Sequence, residues 1–193
     1  WSAPKASRVF CRSALALDWW FSKQFVCPSR VQCQLHLPES YRRALGVEHA
    51  EKMHHTFDAH EIFCETPACP VAARTLWSEY KNHHTMKLLA ATGPNGEFTF
   101  VSCGYGGRAT DNDLTRCSGF LKLIEKGTVC LTDRGFTVKH EFNERGATLL
   151  HPPFSVRGVK HFTEQDAEHT SGIARVRIHI ERAFARVGLF HWL

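Results

Sequence analysis

Several familiar sequence devices are missing from this chain. None of its eight cysteines, Cys11, Cys27, Cys33, Cys64, Cys69, Cys103, Cys117 and Cys130, forms a Cys-x-x-Cys pair, which argues against the commonest zinc knuckles and ribbons. No low-complexity tract or internal repeat is visible, and the apolar (43%) and charged (22%) fractions are ordinary, so most of the chain is expected to be ordered. No apolar run is long enough to span a bilayer. The stretch from Ala14 to Phe21 is interrupted by Asp18 and lacks the small-residue pattern of a cleaved signal, so neither a membrane partner nor a signal peptide is expected. Nothing ahead of Asp58 shows zinc-finger spacing or a clear helix-turn-helix, and no nuclear-import cluster is readable. The chain opens at Trp1 and its first methionine is Met53, so further modules upstream are expected.

What is present describes one main domain. The 193 residues can bury a sizeable core. A formal charge of +5 favours a polyanionic partner, and basic residues crowd the end, where Arg175, Arg177, Arg182 and Arg186 surround Glu181. The cysteines read as reduced, mostly buried thiols. A small zinc-binding protein built on Cys64, Cys69 and nearby histidines such as His60 stands as a third alternative.

Residues 1–52 read as a helical N-terminal extension, the remnant of a longer upstream region, and 53–193 as the main domain. Phe10, Ala14, Leu17, Phe21 and Phe25 recur at helical steps between Ser7 and Phe25. A first strand is expected around Thr56 to Phe63. Met86 to Ala91 and Glu97 to Cys103 form a hairpin about Gly93-Pro94-Asn95-Gly96. Asn112 to Glu125 has helical spacing and is closed by Gly127. Thr128 to Thr132 is a compact apolar strand that delivers Asp133 into the tight Asp133-Arg134-Gly135-Phe136 sequence. A polar loop containing Pro152 and Pro153 then leads to a last helix with the stripe Ile173, Val176, Ile180, Phe184 and Val187. This order predicts an α/β domain in which Asp58, Asp133 and Glu181, beside that stripe, can converge.

Four blocks, in order, resemble the DDE superfamily endonuclease domain of Harbinger-type transposases. They are DAHEIFCETP (Asp58 to Pro67); LWSEYKNHHTMK (Leu76 to Lys87) with YGGRATDNDL (Tyr105 to Leu114); SGFLKLIEKGTVCLTDRGF (Ser118 to Phe136); and HPPF (His151 to Phe154) with IARVRIHIERAF (Ile173 to Phe184). The resemblance runs from about Leu15 to the end. It implies a ribonuclease H-like mixed sheet flanked by helices, with the first and fourth strands side by side and a late helix packed on the sheet. By position it implies that Asp58, Asp133 and Glu181 are the catalytic triad, with Asp111 as an accessory or alternative ligand. From the residues alone, Asp111 reads equally well as a cap for the helix near Asn112.

The implied chemistry is divalent-metal-dependent cleavage of DNA. Two ions, Mg²⁺ or Mn²⁺, would neutralise the scissile phosphate and activate the attacking water, with Asp58 bridging both, Asp133 on one and Glu181 on the other. Trp77, Tyr80, Lys81, His83 and His84 form an aromatic and basic block that either meets the DNA backbone or is a half-buried segment. Arg134 and Arg182 adjoin proposed ligands, and Arg177 lies at salt-bridge spacing before Glu181, where structural pairing is favoured. The family's DNA-binding module normally lies upstream or in a partner protein, and the substrate implies action in the nucleus. The alternative is a catalytically inactive domesticated module that binds DNA or a protein. Where the family has an apolar run into its first aspartate, this chain has Met53-His54-His55-Thr56-Phe57, and His60 replaces a small hydroxyl residue.

Overall fold

The structure is a computed structural model that describes residues 3–24, 27–35, 37–152 and 164–189. Phe25 of the expected first helix and Pro153 and Phe154 of the fourth block lie outside the described residues. The elements are α1 (Ala3–Gln24), α2 (Arg30–Leu35), α3 (Glu39–Ala50), β1 (Met53–Phe63), α4 (Pro70–Leu76), β2 (Trp77–Ser78), β3 (His83–Thr92), β4 (Phe98–Val101), β5 (Tyr105–Gly106), α5 (Asp111–Cys117), a 3-10 turn (Phe120–Leu123), β6 (Val129–Leu131), α6 (Lys139–Glu144), β7 (Thr148–Leu150) and α7 (Glu164–Val187).

The expected hairpin is present: β3 and β4 pair antiparallel about Gly93 to Gly96. β3 also runs antiparallel to β1, while β6 and β7 continue the sheet in parallel on the other side of β1. With the two-residue strands set aside, the order is β4-β3-β1-β6-β7. The fold is thus a mixed α/β sheet flanked by helices, with helices ahead of its first strand, compatible with the ribonuclease H-like architecture.

Side-chain alternation along the strands decides what each face does. On one face Phe57 packs against Phe120, Phe136 and Phe142, with Leu89, Cys130 and Leu149 in the same cluster. On the other, Val129 and Leu131 of β6 join Tyr41 and Leu45 of α3 and Ile173 and Val176 of α7. Three layers follow, and a strand buried on both faces explains the continuous VCL run. The pairing of β1 with β6 shifts between Met53 and His55, so Met53 lies on the α7 side while Phe57 lies opposite.

Several expectations are corrected. The helix expected over Asn112 to Glu125 stops at Cys117, because Gly119 turns left-handed (φ 86°) and the chain resumes as a 3-10 turn. The stretch expected as a polar loop contains α6 and β7, the latter adding a parallel strand to β6; its three residues are too few to show a period. The first strand starts earlier, at Met53. The thiols are not mostly buried: only Cys33 and Cys130 are, while Cys11, Cys69, Cys103 and Cys117 are exposed. The apolar stripe of α1 gains no cover among its described residues, Phe10 being 64% exposed.

α7 crosses α3 closely. A Cβ on Gly172 would run into the backbone carbonyl of Ala44, and beyond that contact Tyr41 stacks on His179 at 5.6 Å. Gly172→Ala is therefore expected to lose about 1–3 kcal/mol of stability by overpacking. An unchanged urea midpoint would show that α7 does not sit this close.

Candidate active site

Two aspartates meet because each follows the last pair of two parallel strands, β1 running on to Phe63 against β3 while β6 ends. Thr56 of β1 lies beside Leu131 of β6, and two residues further along each chain reaches an aspartate, Asp58 and Asp133. The Thr132 hydroxyl donates to the Phe57 carbonyl (3.1 Å), which keeps the two chains together just past that pairing. Leu131 faces α7, so the residue two further on points the same way. Each carboxylate is also held locally, Asp58 by the Ala59 N–H (2.8 Å) and Asp133 by the Arg134 N–H (2.7 Å).

A third aspartate enters from α5. Asp111 does not cap that helix: the Thr110 hydroxyl does, accepting from the Asp113 N–H at 3.1 Å. Asp111 is instead the first helical residue, and its carboxylate takes an ion pair from Lys87 of β3 at 3.2 Å. Asp58, Asp111 and Asp133 line one cleft of about 500 Å³, together with His60, Glu61, Tyr80, Lys81 and Lys87. A larger, more open hollow over Arg74, Thr75, Tyr105 and Arg108 has no carboxylate among its lining residues.

Arg177 is the residue that sequence reasoning placed wrongly. It does not serve as a helix partner for Glu181; its guanidinium turns to the sheet, 3.5 Å from Asp58 and 3.2 Å from Asp133. The physical reason is burial: a guanidinium 14% exposed needs carboxylates within the same low-dielectric space, and two are there. Its Nε is buried without a partner among the described residues. Glu181, one turn further along α7, is exposed and does not line the cleft. The structure thus brings together Asp58, Asp111 and Asp133, and leaves Glu181 exposed outside the cleft.

The acids differ in how well they are satisfied. Burial presses Glu61 upward, but the Ser78 and Thr85 hydroxyls and the Lys87 charge outweigh it and hold the carboxyl below its usual range. Asp58 goes the other way. Burial raises it to about 6; Arg177 and the Ala59 N–H oppose the rise, and the charges of Asp133 and Asp111 add to it. A carboxylate pushed up by burial and by like charges is one that a further cation would stabilise. The donors are all carboxylate oxygens, the set that hard divalent ions such as Mg²⁺ and Mn²⁺ take, so the residues fit such ions.

The aromatic and basic block divides. Tyr80 and Lys81 line the cleft, with the Lys81 ammonium 4.8 Å from the Tyr80 ring centroid. Trp77 and His84 pack edge to face instead. His60 stacks on Phe184 of α7 at 4.4 Å, and this ring contact helps seat the helix over the cleft. Lys87 and Glu61 sit within the cited blocks, but no spacing rule singles out a lysine buried in a strand.

Residues 57–193 match the family model described as DDE superfamily endonuclease. No curated protein and no solved structure matches the chain.

The charge on Asp58 has a stability consequence. Its folded value, about 6, stands above its ordinary 3.8, so ionisation opposes folding. That penalty is absent below about pH 4 and fully imposed above about pH 6. Without divalent ions, Asp58→Asn is expected to be more stable than the parent at pH 7.5, by about 1–2 kcal/mol, and equal to it at pH 3.5. A lower melting temperature for the variant at pH 7.5 would overturn this reading of the site.

Proposed function

The chain belongs to the DDE superfamily endonuclease family, and on that premise we propose that it cleaves DNA phosphodiester bonds with divalent cations, as a Harbinger-type, transposase-derived nuclease. The observation that carries the reading is the meeting of Asp58, Asp111 and Asp133 in one cleft where the parallel pairing of β1 with β6 stops. In open α/β sheets, ligands bind beyond the carboxyl ends of the parallel strands, and Asp133 lies just past that end of β6.

Asp58 and Asp133 would hold the cations, with Asp111 and Glu181 as candidates to complete the set. When bound, Mg²⁺ or Mn²⁺ supplies neutralisation of the scissile phosphate and an activated water. Lys81, exposed at the cleft wall beside Tyr80, would meet the DNA backbone as a point charge. Lys87 is too committed for that task, being buried against Asp111, Glu61 and the Ala109 carbonyl; it would position Asp111. Such a substrate implies action in the nucleus, and target selection would fall to a DNA-binding module upstream or in a partner protein.

A second reading draws on Arg177. Its guanidinium occupies both Asp58 and Asp133, as a protein cation would in a module that binds DNA or a protein without cutting. The two readings separate on supercoiled plasmid. A nuclease nicks it with Mg²⁺ or Mn²⁺, and Asp133→Asn is expected to abolish nicking; a silent module binds in a salt-sensitive way and leaves the plasmid intact. Nicking that persists in Asp133→Asn would reject the site. Parallel Mn²⁺ titrations of Asp111→Asn and Glu181→Ala identify the further ligand by which variant loses affinity. Because Arg177 repels any cation between the two aspartates, Arg177→Gln is expected to bind Mn²⁺ about tenfold more tightly by calorimetry.

A further inference from the structure

The strand that presents Asp58 begins with two histidines in an unfavourable place. His54 and His55 are both fully buried in β1, where two imidazoles replace the apolar residues that suit a central strand. The β1–β6 register explains how neighbours in sequence lie together: Met53 pairs with Val129 and His55 with Cys130, so His54 is the extra residue of a bulge. The two rings stack with centroids 3.9 Å apart. The Cys27 sulfur, arriving just ahead of α2, lies 3.8 Å from Nε2 of His55. One ring nitrogen of each histidine and that sulfur all lie within 4.8 Å of one another.

The other contacts of these rings fix their chemistry. Nε2 of His54 lies 3.0 Å from the Pro28 carbonyl, which can only accept, so Nε2 carries the proton and Nδ1 keeps its lone pair. That Nδ1 is buried without a partner among the described residues, which costs about 1–3 kcal/mol in an ordinary core. Nδ1 of His55 contacts the Thr99 hydroxyl at 2.9 Å, leaving Nε2 for the sulfur side. Each imidazole is thus steadied through one nitrogen, as metal-ligating histidines are by their outer contacts.

We propose that Cys27, His54 and His55 form a zinc site that ties the segment ahead of α2 to the strand bearing Asp58. Zn²⁺ takes thiolate at about 2.3 Å and imidazole at about 2.0–2.1 Å, so tetrahedral donors stand about 3.3–3.6 Å apart. The sulfur–nitrogen separation of 3.8 Å is close to that, and since no spacing exceeds 4.8 Å, side-chain closure of about 1–1.5 Å at most is needed. On binding, the Cys27 thiol gives its proton to solvent and the sulfur lone pair forms the Zn–S bond, with no redox change. Water fills the fourth position. Mg²⁺, which prefers oxygen, is not a competitor here, so this site and the carboxylate cleft sort their cations by chemistry.

The test uses the full chain, freed of metal and titrated with Co²⁺ and then Zn²⁺. One Co²⁺ per chain is expected to give a sulfur-to-cobalt charge-transfer band that Zn²⁺ abolishes, and Zn²⁺ is expected to raise the melting temperature. The band should vanish in Cys27→Ser and His54→Gln and survive in Cys69→Ser. It should also survive in Asp133→Asn, which separates it from any ion in the carboxylate cleft. Absence of the band in the parent, or its survival in Cys27→Ser, overturns the site. If these variants do not fold, alkylation of the parent decides: Zn²⁺ must protect Cys27 while exposed Cys103 still reacts, and equal reactivity with and without Zn²⁺ rejects the proposal.

Discussion

The parallel pairing of β1 with β6 is the constraint on which the site depends. It sets two aspartates abreast just past the point where the pairing of the two strands stops. Asp58 is buried enough that its charge is costly, and Asp133 and Asp111 add like charge nearby. Folding alone does not relieve such a cluster. The apolar clusters on the two faces of the sheet must hold the strands against this repulsion, and Phe57, packed among three other phenylalanines directly before Asp58, is where that force is applied most directly.

Relief comes in part from α7. Its apolar stripe, with Ile173 and Val176 against α3 and the sheet, presents Arg177 to both carboxylates, and the Gly172 contact with Ala44 sets how close the helix comes. Glu181, one turn further along, is turned to solvent. Arg177 meets the two aspartates with a single positive charge, where a bound divalent ion would bring two. The ion pair of Arg177 and the proposed binding of a metal are therefore competing ways of satisfying one set of charges.

Much of this was legible in the sequence where a residue's neighbours along the chain decide its fate. Asp133 follows an apolar run that can only be a buried strand, and Gly93 to Gly96 can only turn. The α/β class follows from the order of the elements, and the side-by-side placement of the strands bearing Asp58 and Asp133 is what the family resemblance implies. What could not be read depends on neighbours far away in sequence. Arg177 has one acid four residues on and two acids more than forty residues back, and only the depth of α7 in the fold selects the latter. Asp111 and Thr110 are both good caps; the backbone gives the role to Thr110, which frees Asp111 for Lys87. The break after Cys117 turns on the left-handed conformation of Gly119, which helical spacing on either side conceals.

His54 and His55 extend the same logic to the start of β1. As a departure from an apolar strand they read as a weakness in the approach to Asp58, yet the bulge sets both rings side by side, with the Cys27 sulfur close to His55. β1 then carries two nitrogen donors at its start, met by the sulfur of Cys27 from ahead of α2, and one oxygen donor, Asp58, at its middle. Nitrogen and sulfur donors favour zinc, and carboxylate oxygens in an open cleft favour magnesium or manganese, so neither site competes for the other's ion. A tether at the entry would compensate for what the histidines remove, because a metal bridge supplies the cohesion that apolar packing gives other central strands, and so would hold Asp58 firmly against its neighbours' repulsion.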